Sequence, residues 1–170
     1  RLGYILSTLF ATSKRWTAGS EGGTMSRHYV RDLSSAAGRG GNKAEGLRFL
    51  ARRRFKIPTT WVCTWDAAAD FAAGDQTVLD VLRRELAERV RPGQRYAVRS
   101  SASVEDQPGV SFAGQFRSVL DVEGLDAILS AIQEVWASAS SAGIAAYAER
   151  QKIEMSGLRM AVLIQEMVPP

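Results

Sequence analysis

Apolar and polar residues alternate along the chain in patterns that predict both helices and strands. Apolar residues recur at helical spacing over residues 43–54 and 125–136, and again in a segment that begins near Thr77. A further helix is expected over residues 142–152. Runs rich in β-branched and aromatic residues predict strands over residues 59–64, 95–100, 116–122 and 160–168. Because helices and strands mix without strict alternation, the pattern favours the α+β class.

The composition is typical of a globular domain or of a piece of a larger one. The chain has 170 residues, of which 45% are hydrophobic. Its net charge is +4, but the basic residues are scattered apart from Arg52–Arg54 and Arg83–Arg84. A scattered excess is typical of a solvated surface, and we expect no nucleic-acid partner. Cys63 is the only cysteine, so no internal disulfide can form, which fits a reducing compartment. One Cys and one His cannot build a metal cluster.

The first residues are expected to lie outside the fold. The apolar run over residues 2–11 is too short to span a bilayer, and we expect no membrane association. Lys14 and Arg15 follow that run where the small residues of a signal-peptide cleavage site would stand. The chain does not begin with Met, whereas Met25 sits just before the organised part. We therefore expect a disordered extension at residues 1–24 and a domain at residues 25–170.

A glycine pair opens the first predicted helix. Gly40, Gly41 and Asn42 precede Lys43. Glycines let the backbone approach a ligand closely, and the start of a helix offers unpaired N–H groups to an anion. Lys43 would add a positive charge for phosphate. The alternative is an ordinary loop with a solvated lysine. The segment is not a Walker A loop, because the four-residue spacer and the Lys-Ser/Thr ending are absent.

An arginine stands at the end of an apolar strand. Arg99 is followed by two hydroxyl residues, Ser100 and Ser101. Its guanidinium carries a fork of N–H donors that matches phosphate oxygens. The alternative is an arginine on a strand edge that pairs with Glu105 or Asp106.

Two further segments are compatible with a nucleotide site. Residues 111–115, Ser-Phe-Ala-Gly-Gln, form a small and flexible segment that could close over phosphates, or an ordinary hairpin connection. Near the C-terminus an apolar strand runs into Gln165 and Glu166. Such a strand can present backbone groups to an adenine edge, although a plain core strand has the same pattern.

Taken together, these segments resemble one family. The run from Ala97 to Asp106, followed by residues 111–115, resembles the signature of the ATP-grasp domain of the phosphoenolpyruvate synthase family. Residues 41–47 resemble its GGKxxxL pattern, with Asn42 in place of the glycine usual before the lysine. Similar segments, in order along the chain, are residues 57–64 (VPxGFxxT), 136–138 (WAS) and 162–168 (VxVQxMV). The resemblance covers residues 39–168. Rifampicin phosphotransferases share this domain, and pyruvate phosphate dikinase is a more distant relative.

The resemblance implies which residues bind the phosphates of ATP. Lys43 and Arg99 match the two cations that hold the phosphates, and they would be the catalytic residues of this chain. Gly114 matches the glycine of the loop that closes over the phosphates.

The resemblance also implies the rest of the nucleotide pocket. Ser118 and Val119 stand where the family lines that pocket. Gln165 matches the hinge glutamine beside adenine, and Met167 follows on the same strand.

For the fold, the resemblance implies the N-terminal portion of an ATP-grasp domain. It also implies that this domain is incomplete in the chain. The family domain continues past the hinge strand, where acidic residues hold Mg²⁺, and its phosphohistidine lies on a separate domain. His28 matches nothing of that site and is expected to be a structural histidine.

We therefore expect the ATP-binding portion of a cytoplasmic phosphotransferase that is inactive alone. ATP is its expected ligand, and Mg²⁺ belongs to the complete domain. The alternatives are an ATP-binding module completed by a partner chain or downstream domain, and a degenerate fragment without nucleotide binding.

An incomplete domain would affect the burial of residues 160–168. Their nearly continuous apolar character is typical of a strand covered on both faces. If the missing part supplied one cover, Ala161, Leu163 and Met167 or their opposite-face neighbours would be partly exposed. An exposed apolar strand tends to recruit another chain, so the sequence predicts self-association.

Overall fold

The fold is built on one antiparallel sheet with helices on both of its faces. A computed structural model of the chain describes residues 27–103, 106–107, 110–111, 116–139, 141–151 and 158–168. The expected extension at residues 1–24 lies outside these residues. The strands are β1 (Val30–Asp32), β2 (Thr60–Cys63), β3 (Arg95–Ala102), β4 (Asp106–Gln107), β5 (Val110–Ser111), β6 (Ser118–Glu123) and β7 (Met160–Glu166). The helices are α1 (Gly41–Arg52), α2 (Trp65–Ala72), α3 (Thr77–Ala87), α4 (Leu125–Ala139) and α5 (Ala142–Gln151).

The main sheet has five strands in the order β1-β2-β7-β3-β6, and every neighbouring pair is antiparallel. The α+β prediction is therefore confirmed. β7 lies in the centre, between two strands that come much earlier in the chain. Its register places Leu163 between Val62 and Arg99, and Gln165 between Thr60 and Ala97. The remaining pair, β4 and β5, forms a separate two-stranded ribbon.

Side chains alternate between the two faces of the sheet, because successive residues of a strand point in opposite directions. One face, here called the core face, carries Tyr96, Val98, Val162 and Ile164 and packs against α2, α3, α4 and α5. The other, here called the α1 face, carries Val62, Ala161 and Leu163 and packs against Ala44 of α1. Arg99 and Ser101 point toward the α1 face, since they alternate with Val98.

β7 is covered on both sides, and the predicted exposure of this strand is wrong. Ala161 and Leu163 are fully buried on the α1 face, and Met160, Val162 and Ile164 are fully buried on the core face. Met167, just beyond the strand, is half-buried. The expectation failed because helices that precede β7 in the chain already cover it. The apolar strand therefore gives no reason to expect self-association.

The start of α1 is held tightly against β3. Gly41 has a φ of +76°, in the left-handed region that favours glycine. A Cβ at this position would stand 2.1 Å from the carbonyl oxygen of Ser101. Three residues on, the backbone N–H of Ala44 donates to Oγ of Ser101 over 3.2 Å. Glycine is needed here because the helix backbone touches the strand backbone directly.

We expect Gly41→Ala to lower the free energy of unfolding by at least about 2 kcal/mol, since the left-handed backbone and the contact with Ser101 both oppose a side chain. Gly46→Ala is the matched control in the same helix. A Cβ at Gly46 meets nothing within 4 Å, so this change should raise stability by up to about 1 kcal/mol. Urea unfolding measures both. Equal effects of the two substitutions would contradict the close approach of Gly41 to β3.

Candidate functional site

Arg99 occupies the middle of the α1 face. The register of β3 places it opposite Leu163 on one side and Ser118 on the other. The side chain is half-buried, and its Nη1 donates a hydrogen bond of 3.1 Å to Oε1 of Gln165. No ion pair joins Arg99 to a carboxylate among the side chains that the structure describes. The side chains of Glu105 and Asp106, the alternative partners of Arg99, lie outside the part of the chain that the structure describes.

Gln165 also forms a hydrogen bond on the side of its amide that faces away from Arg99. Its Nε2 donates to Oγ1 of Thr60 over 3.0 Å, and the Thr60 hydroxyl donates to the carbonyl oxygen of Pro58 over 2.8 Å. Thr60 and Gln165 are each only 6% exposed. Sequence reasoning missed Thr60, because a threonine in a β-branched run indicates strand propensity and nothing more. Only the pairing of β2 with β7 reveals its contact.

Lys43 stands in the first turn of α1, on the same side of the sheet as Arg99. The contacts of Gly41 and Ala44 with Ser101 place this helix start two residues along β3 from Arg99. The first turn contains no acidic residue. The positive end of the helix dipole and the charge of Lys43 lie at the same end of α1. Together with Arg99 they give the α1 face a positive character that suits an anion.

The other predicted site residues are distributed between the two faces. Ser118 is exposed beside Arg99 on the edge strand β6. Val119 pairs with Val98 and packs against the core cluster, so only its backbone is available to the α1 face. Met167 is tied through its backbone, since its N–H donates to the carbonyl of Arg95 over 2.9 Å. Gly114 lies outside the described residues.

Residues 75–170 match the family described as pyruvate phosphate dikinase, AMP/ATP-binding domain. The chain belongs to this family. The matched segment includes the positions of Arg99, Ser118 and Gln165, whereas Lys43 and Thr60 precede it.

Several known proteins resemble parts of the chain. Rifampicin phosphotransferase of Streptomyces sviceus is 48% identical over 82 residues, which is 47% of this chain and 9% of the relative. Phosphoenolpyruvate synthase of Pyrococcus furiosus is 38% identical over 86 residues, 50% of this chain and 10% of the relative. Rifampicin phosphotransferase of Bacillus subtilis is 43% identical over 75 residues, 44% of this chain and 9% of the relative. The resemblance predicted from the motifs is thus confirmed, and each alignment spans about a tenth of the relative's length.

The one histidine and the one cysteine of the sequence, His28 and Cys63, both lie away from Arg99. His28 is exposed, and its Nδ1 lies 2.7 Å from Oε1 of Glu85 on α3, in the helix layer of the core face. Cys63 pairs with Val162 on the core face and is fully buried, and burial raises the pKa of its thiol. Neither side chain belongs to the α1 face, on which Arg99 lies.

The family resemblance implies a magnesium ion, but the described part of the chain contains no cluster of side chains that could hold one. No group of three or more His, Cys, Asp or Glu side chains is placed there to hold a metal ion. Among the same residues, no helix has the length and apolar character to cross a membrane.

A cavity of about 710 Å³ lies on the other side of the molecule, between α2 and α4. Phe71, Gln133 and Trp136 line it, and none of the predicted site residues does. Phe71 and Trp136 pack with their ring centroids 5.2 Å apart at one wall. The cavity is separated from Arg99 by the sheet and is not part of the candidate site.

We expect Cys63 to resist a thiol-specific reagent such as dithionitrobenzoate at pH 8 in the folded chain. Its thiol is fully buried and its pKa is raised, so the reactive thiolate is scarce and inaccessible at that pH. The same sample in urea should release one equivalent of chromophore. Full reaction of the native protein within minutes would contradict the burial of β2 in the core.

Proposed function

We propose that this chain is the ATP-binding portion of a phosphotransferase of the phosphoenolpyruvate synthase or dikinase type. In this proposal the sheet and its helices form the N-terminal portion of an ATP-grasp domain. The observation that carries it is Arg99, a half-buried cation that Gln165 holds on the α1 face beside the start of α1. The family match over residues 75–170 supports the same ligand class.

The chemistry of the α1 face suits the phosphate end of ATP. Phosphoryl transfer needs positioning and charge stabilisation more than covalent chemistry from the protein. A guanidinium can bind two phosphate oxygens in one plane, and an ammonium adds a compact charge. In the proposed complex, Arg99 and Lys43 neutralise charge on the phosphates, and Gly114 belongs to the loop that closes over them.

The base and the sugar would lie toward the end of β7. Gln165 lies on this strand and Met167 follows just beyond its end, while Ser118 and the backbone of Val119 stand across from Arg99 on β6. Their assignment to the nucleotide pocket rests on the family resemblance. The side chain of Gln165 is already engaged at both ends, so its amide plane is fixed before a nucleotide arrives.

The full reaction requires more than this chain in our proposal. The relatives named rifampicin phosphotransferase and phosphoenolpyruvate synthase extend far beyond the aligned segment. We propose that a downstream domain or a partner chain supplies the magnesium ligands, the carrier histidine and the phosphate acceptor site, and that the assembly works in the cytoplasm. A module that only binds ATP until a partner completes it fits the same observation.

We expect the 170-residue chain to bind ATP and Arg99→Ala to weaken that binding by roughly tenfold to hundredfold, as the loss of a charged hydrogen-bonding group implies. Arg95→Ala is the matched control, because Arg95 lies on the same strand but is exposed and pairs with Asp121 at 3.4 Å. Isothermal titration calorimetry measures the dissociation constants. Equal weakening by both substitutions would show that the effect comes from net charge alone. No ATP binding by the wild-type chain would indicate a degenerate fragment.

We expect no acceptor-dependent AMP formation when the pure chain is incubated with ATP, Mg²⁺ and either pyruvate or rifampicin. The one histidine of the sequence, His28, lies against α3 and not beside Arg99, so it has no route to the phosphates. Chromatography of the nucleotides gives the readout, with Arg99→Ala as the control for contaminating enzymes. AMP formation that needs both an acceptor and Arg99 would show that the chain is catalytically sufficient.

A further inference from the structure

We propose that Thr60 is a positioning residue for Arg99 and that it acts through the side-chain amide of Gln165. The inference rests on the proposed function, since it assigns Arg99 to an anionic phosphate ligand. Thr60 does not contact the guanidinium; its hydroxyl contacts Gln165, which the proposed function places in the nucleotide pocket. Its role follows from the hydrogen bonds that connect it to Arg99.

The direction of these hydrogen bonds is fixed at both ends. An arginine guanidinium can only donate, so the Gln165 atom that faces Arg99 across 3.1 Å must be the amide oxygen. A backbone carbonyl can only accept, so the hydroxyl of Thr60 must give its proton to Pro58 across 2.8 Å. The hydroxyl oxygen is then an acceptor, and it receives the Nε2 proton of Gln165 across 3.0 Å. One arrangement satisfies all the groups.

Burial makes this arrangement strongly preferred. Thr60 and Gln165 are each 6% exposed, so water is a poor substitute for a lost partner. If the amide of Gln165 turned over, its NH₂ group would face the guanidinium and its oxygen would face a hydroxyl committed to Pro58. Two donors would then oppose each other at Arg99. The hydroxyl of Thr60 therefore keeps the amide oxygen of Gln165 pointed at Arg99.

The consequence for a ligand is a preset orientation of the guanidinium. Arg99 donates one N–H to Gln165, and the planar fork leaves its other N–H groups in a fixed direction. A cation held in place before binding loses less side-chain freedom when phosphate arrives. Without the Thr60 hydroxyl, Arg99 keeps its charge and loses its fixed direction.

The test compares three single substitutions in the full 170-residue chain by calorimetric titration with ATP. Thr60→Val preserves the shape and the strand propensity but removes the hydroxyl, and it should weaken ATP binding by about fivefold. Thr60→Ser restores a hydroxyl and should recover most of that loss. Thr59→Val is the matched control at an exposed neighbouring threonine and should leave the affinity unchanged.

A double-mutant cycle identifies the path of the effect. If Thr60 acts through Arg99, Thr60→Val should weaken binding in the wild-type background and have little effect in an Arg99→Ala background. An equal loss in both backgrounds would overturn the proposal, because it would show that Thr60 acts independently of Arg99. An unchanged affinity in Thr60→Val would overturn it as well.

A second measurement does not depend on ATP binding. In the wild-type chain, the Nε2 protons of Gln165 should show nuclear Overhauser effects to the side chain of Thr60 and should exchange slowly with water. These signals should be retained in Thr60→Ser, and the slow exchange should be lost in Thr60→Val. If the wild-type chain binds no ATP, the proposed function fails while this measurement still tests the orientation of Gln165. Absence of these effects in the wild-type chain would overturn the inference even if Thr60→Val fails to fold.

Discussion

The insertion of β7 between β2 and β3 is the constraint on which the rest of the structure depends. Thr60 and Gln165 are 105 positions apart in the chain, and their side chains meet only because β7 pairs with β2 on one side. Its pairing with β3 on the other side brings Arg99 to Gln165. The apolar residues of β7 also pack on both faces of the sheet, against the helices of the core face and against α1. The candidate site and the hydrophobic core therefore share one element.

A second constraint acts on the same face of the sheet. The left-handed backbone of Gly41 lets α1 begin in direct contact with Ser101, and no larger residue fits there without displacing backbone. This contact places the first turn of α1, which carries Lys43, on the same face of the sheet as Arg99. The backbone geometry thus brings two cationic residues to one face of the sheet.

Much of this fold follows from the sequence alone, and the failures have physical causes. The apolar periodicity of α4 and the β-branched run of β2 predict their own boundaries to within a few residues. Local patterns carry no information on strand order, so the central place of β7 could not be predicted, and its exposure was predicted wrongly. The short strand β1 has too few residues to show a period. Arg99 and Gln165 were identified as candidate site residues from the family motifs, whereas their hydrogen bond and the contribution of Thr60 required the long-range register.

The position of β7 also bears on how the chain is made. Synthesis proceeds from the N-terminus, so β2 and β3 leave the ribosome long before the residues that separate them in the sheet. Until residues 160–166 emerge, each of these two strands has an unpaired edge. Contacts between residues so distant in sequence also slow folding, because a long loop must be closed before they can form. The nascent chain therefore passes through an interval in which its two strand edges are open to other polypeptides, and a chaperone that shields them would act at this step.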